Sequence, residues 1–416
     1  MSMAFNTHPQ SLYVMLGMAT RIAQRMGLHH EATLSKYSPF EAEMRRRLWW
    51  SLVLFESRIG EQSEKGGARN STLSPIWDCK PPTNISDSDL RPEMKTSAVA
   101  GSRCTEAIFS VVRSQLADYL RFADFFLDFT NPALKHVARA AKMGSVEDGG
   151  GGDRISVLET EMEDKYIRFC DPTNPVQLLT IGTTRTFFAR CRLLCHLSSH
   201  AGPSLPHMSE GEMDTATLHA IRMLEGDTMA TASPSTKRYQ WFMASYFPLP
   251  AYLRVAQEIR ARPLGPRVDR AWGALTDNFA ARMVFKLGYG AGAFTPLNRI
   301  IVQAWDAYEG ALVREGRSRE SIAVPGIVGQ VRQLAAEYEM VSTPAGGSPG
   351  TDDFNMGFGE FQGTGLPMLF GGPGFPDTMG QESFLAVGDA AGLGGVPPQQ
   401  AMGSMNLNDV GWYYSQ

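Results

Sequence analysis

An all-α fold, an irregular multi-helix domain followed by a long disordered C-terminal tail, is what this sequence predicts, and three observations carry it. Apolar residues recur at helical 3–4 spacing through most of the first 340 positions. No stretch alternates apolar and polar residues with period two, so nothing reads as a strand. From Val341 to Gln416 the composition changes: Lys and Arg vanish and about a third of positions are Gly or Pro, a bias that cannot bury a packed core.

The first helix shows in Leu12, Met15, Leu16, Ala19, Ile22, Ala23 and Met26, and Gly27 supplies a left-handed stop. A second begins at Ser38-Pro39-Phe40-Glu41, where Ser38 caps, Pro39 suits the first helical position and Glu41 completes a capping box. Within it Met44, Leu48, Leu52 and Phe55 form the predicted apolar stripe, with Glu43 one turn before Arg47 on another face. Gly60 to Gly101 contains Pro75, Pro81, Pro82 and Pro92, which forbid long helices, so this span reads as a long connection. Helical rhythm returns over Arg103 to Phe129 and ends at Asn131-Pro132. Further helices are predicted near Ile155 to Phe169, Pro175 to Ser199, Glu210 to Thr231, Tyr239 to Arg262, Pro266 to Leu287, Leu297 to Glu315 and Ser321 to Tyr338. Pro248 and Pro250 predict a kink in the fourth of these.

The acidic run Glu147-Asp148, Gly149 to Gly152 and Asp153 reads as a flexible linker. It divides the chain into a first helical part (1–145), the linker (146–153), a second helical part (154–340) and the tail (341–416). The tail carries seven acidic residues, which leaves residues 1–340 with a net charge of +3. Those acids interleave with aromatics, among them Phe354, Phe358, Phe361 and Phe370. Charge that keeps aromatics exposed is the compositional mark of an activation segment, whose partner is a coactivator groove.

With 43% hydrophobic and 20% charged residues over 416 positions, the chain can bury a sizeable core. A net charge of −4 argues against the whole chain being a nucleic-acid sleeve, which needs clustered positive charge. Cys79, Cys104, Cys170, Cys191 and Cys195 are odd in number and scattered, which suits a reducing compartment. Met1 to His8 has neither a charged n-region nor an apolar core, and no 18-residue apolar run occurs, so no membrane is expected as a partner. Asn70-Ser71-Thr72 and Asn84-Ile85-Ser86 therefore read as chance matches to the glycosylation pattern.

No Ser nucleophile elbow, phosphate loop or zinc-protease motif occurs. Gly288 to Gly292 reads as helix termination, because no strand precedes it. Asp124 with Asp128, and Asp352 with Asp353, are the carboxylate pairs that magnesium chemistry would need, and neither suits it. No catalytic residue is assigned and the chain reads as not an enzyme. Cys191, Cys195 and His196 lie on an apolar helical stripe, where buried thiols fill cores; no metal ligand is assigned. His29-His30-Glu31 reads as a loop or cap. Arg45, Arg46 and Arg47 fan around a helix and cannot form one phosphate-binding stripe; Glu41, Glu43 and Glu56 offer them intramolecular partners. Trp49 and Trp50 read as core and helix-interface residues.

The same residues carry a resemblance. Gly17-Met18-Ala19, Arg21-Ile22-Ala23, Gly27-Leu28-His29, then Glu43 with Arg45-Arg46-Arg47-Leu48-Trp49-Trp50, resemble the signature of the fungal-specific transcription factor domain, the helical middle region of fungal binuclear zinc-cluster regulators. Pro82 to Leu90 is similar to the loop that follows, and Thr105-Glu106 through Arg113 to the next helix; Glu56-Ser57-Arg58 departs from the pattern. The resemblance fades after about His200. It implies an all-helical body, a nuclear location and regulation of transcription by RNA polymerase II, often of metabolic genes. It also implies that the loop lies across the helices. The family's zinc cluster needs six closely spaced cysteines in a basic segment, which these residues lack. Zinc is thus expected only if such a cluster lies upstream, and DNA only through that cluster or a partner. A chain that opens almost on the signature suggests truncation, which would leave Leu12, Leu16 and Ala19 unpacked, so poor solubility or a homodimer is expected. The other reading is a stand-alone effector-binding or interaction module, whose small-molecule pocket would be lined by Phe122, Phe126, Phe187 and Trp241.

Overall fold

Local chemistry sets most helix ends in the computed structural model, which describes residues 9–62, 73, 77–98, 101, 104–130, 154–200, 208–244, 246–283 and 295–342. Helix α1 (Pro9–Arg25) ends at Gly27, whose φ of 70° only glycine adopts cheaply. There Leu28 N–H donates to Ala23 O and Gly27 N–H to Gln24 O, the two bonds of a Schellman stop. A short α2 (Glu31–Leu34) follows, then α3 (Pro39–Gln62), whose Glu41 N–H donates to Ser38 Oγ. The Glu41 carboxylate turns forward to Arg45, so the predicted reciprocal box gives way to an i,i+4 ion pair.

The single helix predicted over Arg103 to Phe129 is two, α4 (Ile108–Leu120) and α5 (Asp124–Thr130). Its start is delayed because Thr105 Oγ1 accepts the Ala107 N–H while donating to Asn84 Oδ1. It breaks at Arg121, whose guanidinium lies 3.7 Å over the Trp77 ring and donates to Trp77 O. Next come α6 (Arg154–Lys165) and the 25-residue α7 (Pro175–Ser199), capped by Asn174 with Pro175 at its first position. Helix α8 (Glu210–Ala232) begins at a full capping box of Ser209 and Glu212. Where a kinked helix was expected, the chain makes α9 (Gln240–Ala244), leaves the helix, and restarts as α10 (Leu249–Ala261) with Pro250 in its first turn. The proline that removes a donor thus begins a helix rather than bending one. The last three are α11 (Val268–Met283), α12 (Thr295–Arg314) and α13 (Gly326–Ser342). Among the described residues there is no strand, so the all-α class holds.

All described residues fall in one unit, Met1–Pro376; a second, Asp377–Gln416, lies outside them. So do the tail phenylalanines Phe354, Phe358, Phe361 and Phe370, the linker 146–153 and Gly288 to Gly292. Among the described residues three larger apolar clusters hold the unit, with two smaller ones around Leu194 and Phe242. The first gathers Leu28, Leu34, Trp49, Trp50, Trp77 and Cys79. The second joins α4, α6 and α7 through Ile108, Val112, Leu116, Met162 and Phe188. The largest unites α8, α10, α11, α12 and α13 through Leu224, Tyr252, Leu275, Phe279, Trp305 and Val331, each large side chain contributing roughly 1.5–3 kcal/mol. Helix α7 serves both of the latter, with Cys191 in one and Leu193 in the other. It approaches α8 most closely at Gly182 and Gly226: a Cβ on Gly182 would stand 2.7 Å from Ala230 Cβ, and one on Gly226 2.8 Å from Thr186 Oγ1.

The predicted stripe of α3 is not its buried face. Met44 is 45% and Leu48 50% exposed, while Ala42, Trp49, Trp50, Val53 and Glu56 are buried. On α1, Leu12, Leu16 and Ala19 are half-buried, and the exposed apolar row is instead Val14, Met18 and Ile22 with Met15 beside it.

Candidate functional site

Residues 77–87 cross α2 and α3 as an extended strap, and the side chains that pin it are those of the signature segment. Asp78 and Cys79 both donate their N–H to His29 O at 3.2 Å. The Asp78 carboxylate accepts the Glu31 N–H at 3.0 Å, so a residue 47 positions away caps α2. Trp50 Nε1 donates to Lys80 O at 2.8 Å, and the Glu31 carboxylate accepts the Lys80 N–H at 3.1 Å. Further on, Glu43 accepts the Thr83 N–H at 3.1 Å, and Arg47 donates to Ile85 O and, at 2.9 Å, to Asp87 Oδ1. Between these polar anchors Trp77 wedges edge-on against Trp49 and Trp50, with ring centres 5.5 and 4.9 Å away.

Each signature residue therefore has a place. Gly27 turns the chain and Leu28 is fully buried. His29 offers its carbonyl to the strap, its ring 5.6 Å from that of Trp49, and burial together with His30 pushes its imidazole below the ordinary 6.5. Glu43 is 3% exposed and also takes Arg47 at 3.3 Å. Arg45 pairs with Glu41 and lies 3.8 Å over the Tyr37 ring, and Arg46 holds Glu31. Burial pushes the Glu31 carboxyl up, yet Arg46 and the Lys80 amide outweigh it and hold it below its ordinary 4.5. Sequence reasoning named His29 to Glu31 only as a loop or cap and missed Asp78 and Arg121 as members of the strap's fastening. The available signal was a lone Trp-Asp-Cys triplet inside an otherwise polar connection.

The thiols do not fit a zinc cluster. Cys79 is buried among the tryptophans, its pKa pushed up to about 12 by burial and by Glu31. Cys191 is buried in the α4–α7 cluster. Cys104 and Cys170 meet at 3.4 Å, and among the described residues no three His, Cys, Asp or Glu side chains are placed to hold a metal. No described helix is long and apolar enough to cross a membrane.

A second feature is a cavity of about 150 Å³ between α4, α5, α7, α8 and α9. Phe126 and Phe187 line it as expected; Phe122 instead lies beneath Arg121, and Trp241 is 37% exposed against Phe242. One wall is fixed by a buried ion pair, in which Arg282 donates to both oxygens of Asp227 at 2.6 and 2.7 Å. Asn278 donates to the same carboxylate at 2.7 Å and accepts the Tyr252 hydroxyl. Arg282 also donates to Met243 O and Tyr246 O, which ties the end of α9 and the chain just after it to α8 and α11.

Comparison with known proteins places these features. The family model described as the fungal specific transcription factor domain matches residues 3–60, which covers α1, α2 and all but the end of α3. The chain is similar to transcriptional regulator AacuB of Aspergillus aculeatus, with 39% identity over 82% of this chain and 45% of that one. It is similar to transcriptional regulator nsrM of Aspergillus novofumigatus at 39% over 84% and 46%. With the aurofusarin cluster transcription factor aurR2 of Gibberella zeae it shares 26% over 82% and 48%. The chain thus spans a little under half the length of these relatives. No solved structure matches.

Proposed function

Because residues 3–60 belong to the fungal-specific transcription factor domain family, we propose that this chain is a fungal regulator of RNA polymerase II transcription, acting in the nucleus and not as an enzyme. The observation that carries the reading is 39% identity with the Aspergillus aculeatus regulator over 344 residues, 82% of the chain, well past the matched segment. The Gibberella relative's name, a cluster transcription factor, adds the expectation that the target genes are metabolic and form a biosynthetic cluster. In this reading the signature residues Gly27, Leu28, His29, Glu43, Arg45, Arg46, Arg47, Trp49 and Trp50 hold the strap, and so give the helical body one fixed surface. Their arginines face carboxylates, which supports an internal role over a phosphate-binding one. DNA is reached through a zinc cluster outside these residues or through a partner. Residues 341–416, with Phe354, Phe358, Phe361 and Phe370, engage coactivators, and the exposed apolar row on α1 supports a homodimer.

The test fuses residues 341–416, and separately 1–340, to a heterologous DNA-binding domain and reads a reporter in fungal cells. Activation by the tail, abolished when the four phenylalanines become alanine, is expected; silence from both fusions overturns the reading. A second reading, a stand-alone effector-binding module, is favoured by the cavity beside Asp227 and predicts that both fusions stay silent while the body binds a ligand.

A further inference from the structure

One group in the cavity wall carries more donors than its contacts use. Arg113 projects from α4 with its guanidinium carbon 4.5 Å from the ring centre of Phe242, 5.2 Å from Tyr246 and 5.3 Å from Phe109. Its Nη2 donates to the Tyr246 hydroxyl at 2.6 Å, and among the described residues no carboxylate pairs with it. The contrast with Asp227 in the same wall is direct, since that carboxylate is fully taken by Arg282 and Asn278. A guanidinium presents five N–H donors in one plane, and ring faces satisfy its charge but not those in-plane donors. The remaining walls are mainly apolar, with Leu116, Leu120, Phe126 and Phe187 among them, and Thr183, Thr186 and Arg190 add polar edges on α7. A cavity of about 150 Å³ with such walls suits a ligand of one or two aromatic rings.

We propose that this cavity binds a small planar aromatic carboxylate, its rings among the apolar walls and its carboxylate on the fork of Arg113. The fork matches a carboxylate bidentately, whereas a neutral acceptor takes at most one charge-assisted bond. This holds whether the body regulates transcription through its own tail or through a partner, because it concerns binding alone.

Isothermal titration of the full chain with 2-naphthoate, and with 2-naphthamide as the neutral shape-match, tests it. Saturable one-to-one binding of the acid is expected, with the amide at least about tenfold weaker. Arg113→Gln should bring the two ligands to within about twofold of each other, and Arg113→Lys should restore part of the preference, because it returns the charge without the fork. Ala117→Phe, which adds bulk in the same wall and leaves Arg113 in place, should abolish both, with circular dichroism on every variant to confirm the fold. Three outcomes overturn the proposal: no saturable binding of the acid, equal affinity for acid and amide, or a preference that survives Arg113→Gln. If Ala117→Phe fails to fold, the Arg113 variants still decide.

Discussion

Trp49 and Trp50 are neighbours with almost no exposure, yet their indole N–H groups differ: Trp50 Nε1 donates to Lys80 O, whereas Trp49 Nε1 has no partner among the described residues. Replacing either by Phe removes similar bulk, but Trp50→Phe also leaves the strap carbonyl of Lys80 with only the weak Cys79 thiol donor, and Trp49→Phe removes a donor that was already unmet. Urea unfolding should therefore show Trp50→Phe costlier than Trp49→Phe by about 1 kcal/mol; equal costs would mean the bond to Lys80 contributes nothing. The carboxylate of Glu31 makes a second prediction. Its folded pKa lies below its ordinary 4.5, so the stability it contributes is present above that value and is lost as pH falls through the folded pKa. Wild-type stability should fall on acidification below about pH 4.5, and Glu31→Gln should be less stable at pH 7 but lose less over the same acid range. An unchanged acid slope in that variant would move the titration elsewhere.

At the scale of elements, α7 and α8 meet over small residues, and Gly182 and Gly226 set how near their axes come. A methyl on Gly182 would sit 2.7 Å from Ala230 Cβ and 3.0 Å from Gly226 O, and the backbone partner cannot swing away. Gly182→Ala should cost about 1–3 kcal/mol by overpacking, against a near-neutral Gly211→Ala on the open side of α8, where nothing lies within 4 Å. Comparable melting of the two variants would show that the crossing yields. The helices themselves were legible because 3–4 periodicity, Gly27, Ser38 and Pro175 are local signals. What was not legible was which face of α3 goes inside. Periodicity scored Met44 and Leu48 as the stripe, but Trp77, 27 positions beyond Trp50, covers the tryptophan face and decides the matter from outside the window. The break at Arg121 has the same cause, a long-range contact to Trp77 that no local pattern contains. The signature arginines were legible as ion-paired in kind, though Glu31 and Asp87 as partners required the strap's path.

At the scale of the whole molecule, the strap completes the apolar cluster around Trp49 and Trp50, while α1 keeps a row of exposed apolar side chains among the described residues. Val14 and Met18 are each 62% exposed and Ile22 57%, one helical turn apart along α1, with Met15 at 51% beside them; Met44 and Leu48 of α3 are also exposed. Single exposed apolar residues are ordinary, but a row repeated over three turns is the pattern that coats an interface. Nothing in the periodicity of α1 revealed this, since Leu12, Leu16 and Ala19 carry the same rhythm and sit half-buried. If the row is where two copies meet, Met18→Glu with Ile22→Glu places charge in the middle of the contact while leaving the buried Ala23 and Leu28 untouched. Light scattering on a sizing column should then show the wild-type chain shifting toward dimer as concentration rises, and the double variant staying monomeric with an unchanged circular dichroism spectrum. A wild-type chain that stays monodisperse and monomeric across the same range would assign the row to no second copy.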